Sequence, residues 1–197
     1  MKHLMLLSIL FIVVSGCAVL NQPIVEIPST MLSCDTNPEM VDGNLKTVST
    51  FVSTGHVEKK YKNIKVSPGP FPQRERRYTT SVIGKRTAAI IKLDTPTYIS
   101  YVEVYPASRI PNIALVTTNE DPPRFKTNFD VVRDKYHFNV EGTKPVKFKI
   151  NREILYLQLT ADGIEDKYNS TREKDRDKSV HIPLKGAAIK EVKFYAN

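Results

Sequence analysis

The sequence predicts an all-β fold, a sandwich of short antiparallel strands around one core. Three observations predict it. Apolar and polar residues alternate with a period of two, most cleanly over residues 154–160, where Leu155, Leu157 and Leu159 take one face and Tyr156, Gln158 and Thr160 the other. Such runs recur at short intervals with turn residues between them, enough for about seven or eight strands. No stretch carries a long helical periodicity. Proline outnumbers glycine, 13 to 8, and tryptophan is absent, a composition that suits short strands and many turns.

The chain opens on a different pattern. Lys2 and His3 precede an almost unbroken apolar run over residues 4–14. That run has the length of an export-signal core and is too short for a bilayer span, which takes roughly 20 apolar residues. Val14-Ser15-Gly16-Cys17 follows: an aliphatic residue, two small residues and a cysteine. This resembles the lipobox of bacterial lipoproteins. The resemblance implies cleavage before Cys17, with diacylglycerol on its thiol and an N-acyl lipid on the new amino terminus. Acyl chains contribute about 0.8 kcal/mol per buried methylene, and two or more chains anchor stably without a transmembrane helix. Ala18 stands where an aspartate would retain a Gram-negative lipoprotein, so the resemblance implies the outer membrane, with the chain facing the periplasm or the surface.

Residues 1–16 are therefore expected to be the signal, residues 17–33 a lipidated tether and residues 34–197 one domain. Removing the signal takes Lys2 with it and leaves 181 residues at a net charge of +7. That is long enough to bury a core without staples. With Cys17 lipidated, Cys34 is alone and reads as a buried, inert thiol. The four histidines are scattered at His3, His56, His137 and His181, and there is no Cys-x-x-Cys.

The elements follow in order. Residues 18–33, with Pro23 and Pro28, read as the tether or as a first edge strand over residues 24–27. Residues 89–93 are apolar and β-rich, Pro96 interrupts, and residues 98–105 make the next strand. Residues 113–117 are another. Residues 135–140 and 146–150 read as a hairpin about Glu141-Gly142-Thr143. Residues 154–160, 179–184 and 189–196 complete the set, with Val192 and Phe194 sharing a face. Two segments stand apart. Residues 57–86 hold nine Lys and Arg against Glu58 and Glu75, and Pro68, Gly69, Pro70 and Pro72 suggest an irregular path. Residues 162–178 mix both signs densely and read as a solvated loop.

Several of these segments, in this order, resemble the discoidin, or F5/8 type C, domains of the galactose-binding-like jelly-roll fold. Val41-Asp42-Gly43-Asn44-Leu45-Lys46-Thr47 resembles the family's early loop. Residues 89–105, Arg152-Glu153-Ile154-Leu155-Tyr156-Leu157-Gln158-Leu159 and Ile189-Lys190-Glu191-Val192-Lys193-Phe194-Tyr195 resemble its core strands. The resemblance implies a jelly-roll β-sandwich, galactose-binding-domain-like. It also implies a structural calcium shared by Asp42, Asn44, Thr47 and Glu191, positions whose oxygens suit a hard cation. The sequence departs from the family in having Phe51 where a tryptophan usually follows the threonine, and in the long basic segment after Gly55.

A glycan site would combine aromatic platforms with polar groups. Tyr61, Phe71, Tyr78 and Tyr168 fall in suitable loop regions, with Arg74, Arg76 and Arg77 as anion contacts; the alternative is that the rings cover the sandwich flank. The basic segment would meet an anionic envelope component or simply be solvated. Nucleic acid does not fit an exported chain. Gly-x-Ser-x-Gly, His-Glu-x-x-His and phosphate-cradling glycine loops are all absent from the sequence. The expected function is a non-catalytic, membrane-anchored binding module for a glycan or envelope component, the alternative a structural accessory lipoprotein docked on a larger envelope or secretion complex.

Overall fold

The computed structural model describes residues 23–53, 55–65, 67, 70–71, 74–83, 87–124, 126–133, 140, 144–172 and 179–197. Cys17 and the expected signal lie outside the described residues, as do residues 135–139 and 141–143 of the expected hairpin. Within the described residues the chain is all-β. Its strands are β1 (Val25–Glu26), β2 (Leu32–Cys34), β3 (Ser49–Thr50), β4 (His56–Lys65), β5 (Arg74–Ile83), β6 (Thr87–Pro106), β7 (Ile113–Thr118), β8 (Asp130–Arg133), β9 (Val146–Ala161), β10 (Ile164–Glu165), β11 (Thr171–Arg172), β12 (Ser179–Lys185) and β13 (Ala188–Ala196). Short 3-10 turns occupy Ser29–Met31, Pro38–Val41 and Lys167–Asn169. No helix among the described residues is long and apolar enough to cross a membrane.

The larger sheet runs β1-β13-β6-β9-β7-β8, with β2 added on β6 and β3 on β13. Its two long strands pair twice. Thr87 to Lys92 of β6 lies against Tyr156 to Ala161 of β9, and Thr97 to Val104 against Val146 to Ile154. Between the two stretches the register shifts, with the four residues 93–96 of β6 opposite Leu155 alone. A second shift falls beside Asn151, whose backbone has φ 50°. Such irregularities bend a strand and change which face its side chains take. The core residues of β6 are Ala89, Ile91, Leu93 and Ile99, then Val102 and Val104; those of β9 are Phe148, Ile150 and Ile154, then Leu157, Leu159 and Ala161. The parity of the core positions changes once along each strand, between Ile99 and Val102 on β6 and between Ile154 and Leu157 on β9, so both halves turn their apolar residues onto one core, a β-sandwich. Ile113 and Leu115 of β7, Val192 and Phe194 of β13, Met40 and Phe51 join the same core.

Pro96 was expected to divide two strands. Instead β6 runs through it, because the register shift leaves residues 93–96 unpaired with β9 and β2 reaches only Leu93, so neither ladder calls on the N–H that Pro96 lacks. The expected strands 146–150 and 154–160 are likewise one strand, β9. The chain joins the sheet at β1 and again at β2, ahead of the boundary expected after Ser33. Cys34 is free and buried in the core.

The smaller sheet corrects two readings. Residues 57–86 are not irregular throughout: β4 and β5 form a ten-residue antiparallel hairpin, paired from His56 opposite Ile83 to Lys65 opposite Arg74. The prolines that suggested irregularity all fall in its connection. Alternate basic residues masked the strand pattern, and pairing to β12 supplies the order that apolar alternation does not. Residues 162–178 were read as a loop, yet they carry β10 and β11, both paired to β12.

Candidate functional site

The first candidate site is where the loop after Pro38–Val41 meets β13. Met40 and Val41 are buried and pin the start of the loop. Gly43 takes φ 77°, a conformation that favours glycine, and a Cβ there would sit 3.0 Å from Ser29 Oγ. The tight turn folds Asp42 back over the loop. Its Oδ1 accepts from Asn44 N at 2.8 Å, and Asn44 Oδ1 accepts from Lys46 N at 3.1 Å. Thr47 Oγ1 lies 2.6 Å from the Asn44 carbonyl oxygen, 2.9 Å from Asp42 Oδ2 and 3.1 Å from Asp42 Oδ1. A hydroxyl has one proton, so it serves one of these three acceptors at a time.

Glu191 comes to this loop from β13. The register of β13 against β6 shifts between Ile189 and Glu191. Glu191 is 2% exposed, and its Oε2 has no hydrogen-bond partner among the described residues. Burial pushes the carboxyl up to about 7, and the negative charge and close carboxyl of Asp42 push the same way. The nearby backbone of Asn44 and Gly43 opposes the rise. The structure thus brings together Asp42, Asn44, Thr47 and Glu191. Among the described residues no cluster of three or more His, Cys, Asp or Glu forms a metal site. The convergence here is two carboxylates, a carbonyl and a hydroxyl, all oxygen.

The residues expected to contact a ligand are placed less uniformly. Tyr61 and Tyr78 are direct cross-strand partners on β4 and β5, with ring centroids 5.9 Å apart at 50°. Tyr78 is 64% exposed. Arg74 and Arg76 hold the register positions opposite Lys65 and Asn63. Arg77 is one position out of step with Tyr78, on the opposite face of the ribbon, and ion-pairs with Glu75 at 3.1 Å. Phe71 lies in the hairpin connection and is exposed. Tyr168 is exposed in the Lys167–Asn169 turn, and the strands that flank it, β10 and β11, both pair with β12. β12 therefore separates Tyr168 from the Tyr61–Tyr78 pair, and the expected group does not form one site.

Two clusters escaped sequence reasoning. Tyr156 donates to Asp121, which also ion-pairs with Lys92 Nζ at 3.2 Å. The Tyr156 hydroxyl and then Lys92 hold the Asp121 carboxyl below its usual range. On the outer face of β13, β6 and β9, Tyr101 and Tyr195 stack at 4.4 Å, and Lys147 Nζ lies 3.2 Å from the Tyr101 ring centroid. Glu103 accepts from the hydroxyls of Tyr105 at 2.9 Å and Tyr195 at 3.4 Å. Burial, then Glu103, push the Tyr195 hydroxyl upward. Odd-numbered polar positions along β6 and β13 signalled this face, but which strands lie side by side was not in the sequence pattern.

No family model and no curated protein matches the chain. Among solved structures it is similar to the family 32 carbohydrate-binding module of Clostridium perfringens NanJ in complex with galactose, at 11% identity over 88% of this chain and 99% of that one, with a TM-score of 0.46. Another family 32 module, from a family 31 glycoside hydrolase of Clostridium perfringens, is similar at 14% identity over 87% of this chain and 95% of that one, TM-score 0.46. The C-terminal domain of a chitobiase from Bacteroides fragilis is similar at 13% identity over 88% and 100%, TM-score 0.47.

Proposed function

We propose that this chain is a lipid-anchored, non-catalytic binding module of a bacterial outer membrane, and that it takes an acidic glycan. The observation that carries the reading is the Tyr61–Tyr78 pair, Tyr78 exposed and Tyr61 half-buried, on a ribbon whose strands hold Lys59, Lys60, Lys62, Lys65, Arg74, Arg76 and Arg77. Aromatic rings offer a sugar ring an apolar platform at low entropic cost. The net positive charge of the ribbon, seven cations against Glu58 and Glu75, favours a carboxylated or sulfated sugar over a neutral one. Lipidation of Cys17 supplies the anchor, and the chain from Ala18 to β1 supplies the reach.

Calcium is the proposed structural cofactor. Asp42, Thr47, Glu191 and the Asn44 carbonyl would hold it. The fit rests on the buried, unpartnered Glu191 Oε2 and on the crowding of oxygens at Thr47. Calcium takes 6 to 8 oxygens at about 2.3–2.6 Å, which places neighbouring ligands roughly 3 Å apart. When bound, the cation supplies the positive charge that two facing carboxylates lack.

The test is a glycan array probed with the full chain in detergent, beside a Tyr61→Ala/Tyr78→Ala variant. Binding to acidic glycans that falls at least about tenfold in the variant, roughly 1.4 kcal/mol, is expected. Absence of binding at high protein concentration, or equal binding by the variant, would overturn the reading.

A further inference from the structure

Strand β5 is the free edge of the smaller sheet. It pairs with β4 along its whole length without a register shift, and no strand among the described residues lies on its other side. In an antiparallel pair half of the backbone N–H and C=O groups of an edge strand point away from the partner. Every β5 side chain that the structure describes is exposed, including Tyr78, Val82 at 71% and Ile83 at 47%.

Proteins blunt such edges with charges, prolines, bulges or short strands. The first half of β5, Arg74-Glu75-Arg76-Arg77, is protected by charge. The second half, Tyr78-Thr79-Thr80-Ser81-Val82-Ile83, has no charge, proline or glycine and is rich in β-branched residues. It is a six-residue template for another strand, left open.

We propose that β5 is a strand-addition site for an extended segment of another protein, antiparallel to it. That segment is β-branched and uncharged opposite Tyr78–Ile83, and acidic opposite Arg74–Arg77. Charge selects this occupant. The hairpin carries Lys59, Lys60, Lys62, Lys65, Arg74, Arg76 and Arg77 against Glu58 and Glu75. A second copy paired antiparallel would set Arg74–Arg77 opposite the uncharged Thr80–Ile83, with no cation directly facing another, but it would bring together two hairpins that each carry seven cations against two anions, and that net charge is self-repelling. An acidic strand relieves the same charge. Backbone pairing supplies affinity, and the charged end fixes direction and register. The site uses the backbone edge of β5 and not the ring faces of Tyr61 and Tyr78, so it stands whether or not a glycan binds.

The experiment uses the full chain in detergent micelles and three fluorescent ten-residue peptides. The first has six alternating threonines and valines, then four residues set opposite Arg77 to Arg74, acidic except for a lysine facing Glu75. The second replaces its acids by lysines. The third places prolines at two threonines. The first peptide is expected to bind at least about tenfold more tightly than the others, and to slow amide exchange within residues 74–83. Outward and inward amides alternate along β5, so of Thr80→Pro and Ser81→Pro one removes an outward amide and spares the hairpin. The variant that keeps the wild-type melting temperature is expected to lose peptide binding by at least about tenfold. Failure of the first peptide to bind, affinity indifferent to charge, or protection outside β5 would overturn the proposal. So would a dimer of the chain that protects β5, or protection by anionic vesicles in place of the peptide.

Discussion

Replacing Glu191 by glutamine separates the two states of the loop at β13. In the metal-free chain Glu191 is buried, one carboxylate oxygen lacks a partner, and Asp42 faces it. These raise its pKa from 4.5 to about 7. Below pH 4.5 the folded and unfolded chains both carry the proton. Between 4.5 and 7 the unfolded chain gives it up first, so stability falls with rising pH and levels off above 7. A shift of about 2.5 units at 1.36 kcal/mol each corresponds to about 3 kcal/mol. Glu191→Gln removes that charge. In chelator at pH 8 the variant is expected to be more stable than the wild type by up to about 3 kcal/mol, about 6–12 °C in melting temperature for a domain of this size. Calcium at a hundred times its dissociation constant is expected to stabilise the wild type by about 2.7 kcal/mol and the variant far less. Thermal melts of both chains, in calcium and in chelator from pH 4 to 8, read all of this. A chelated variant that melts below the wild type at pH 8 would refute the buried, repelled carboxylate. Equal gains from calcium in the two chains would move the ion elsewhere.

Three further outcomes are expected. Gly43→Ala forces a side chain into a left-handed turn against Ser29 Oγ, and urea unfolding is expected to show a loss of about 1–2 kcal/mol. Tyr156→Phe removes the main group that lowers the Asp121 pKa, so a carboxyl titration followed by NMR is expected to show that pKa rising toward its ordinary value. No change would mean that the hydroxyl does not reach the carboxylate. Cys17→Ala is expected to abolish palmitate labelling and to release the chain from washed membranes, and retention of the unlabelled chain would show a different anchor.

The core was legible wherever apolar alternation decided a strand. Leu157 and Leu159, and Val192 with Phe194, join the core as their spacing required, whereas Leu155 stands in the register shift and Ile154 takes the core position beside it. What was hidden lay in pairing. Pro96 reads as a break in isolation, yet sits in the irregular stretch that joins the two paired lengths of β6. The β4–β5 hairpin carries lysine and arginine where a half-buried strand would carry valine, and only its partner strands reveal it. At the loop, Asp42, Asn44 and Thr47 are neighbours in sequence, so their convergence is local. Glu191 joined them on resemblance alone; nothing in the alternation of β13 marked it as buried. The ligand residues failed as a group for the same reason, since Tyr61 and Tyr78 meet across a register that the sequence does not print, and Tyr168 lies beyond β12.

The most direct test of a lipid-anchored glycan-binding module is capture at a membrane. Vesicles carrying the full lipidated chain would be mixed with fluorescent acidic glycans, in calcium, beside vesicles carrying Tyr61→Ala/Tyr78→Ala. The wild-type vesicles are expected to retain at least one acidic glycan, with at least about tenfold less on the variant. Equal retention by the two, or none by either, would contradict the proposed function.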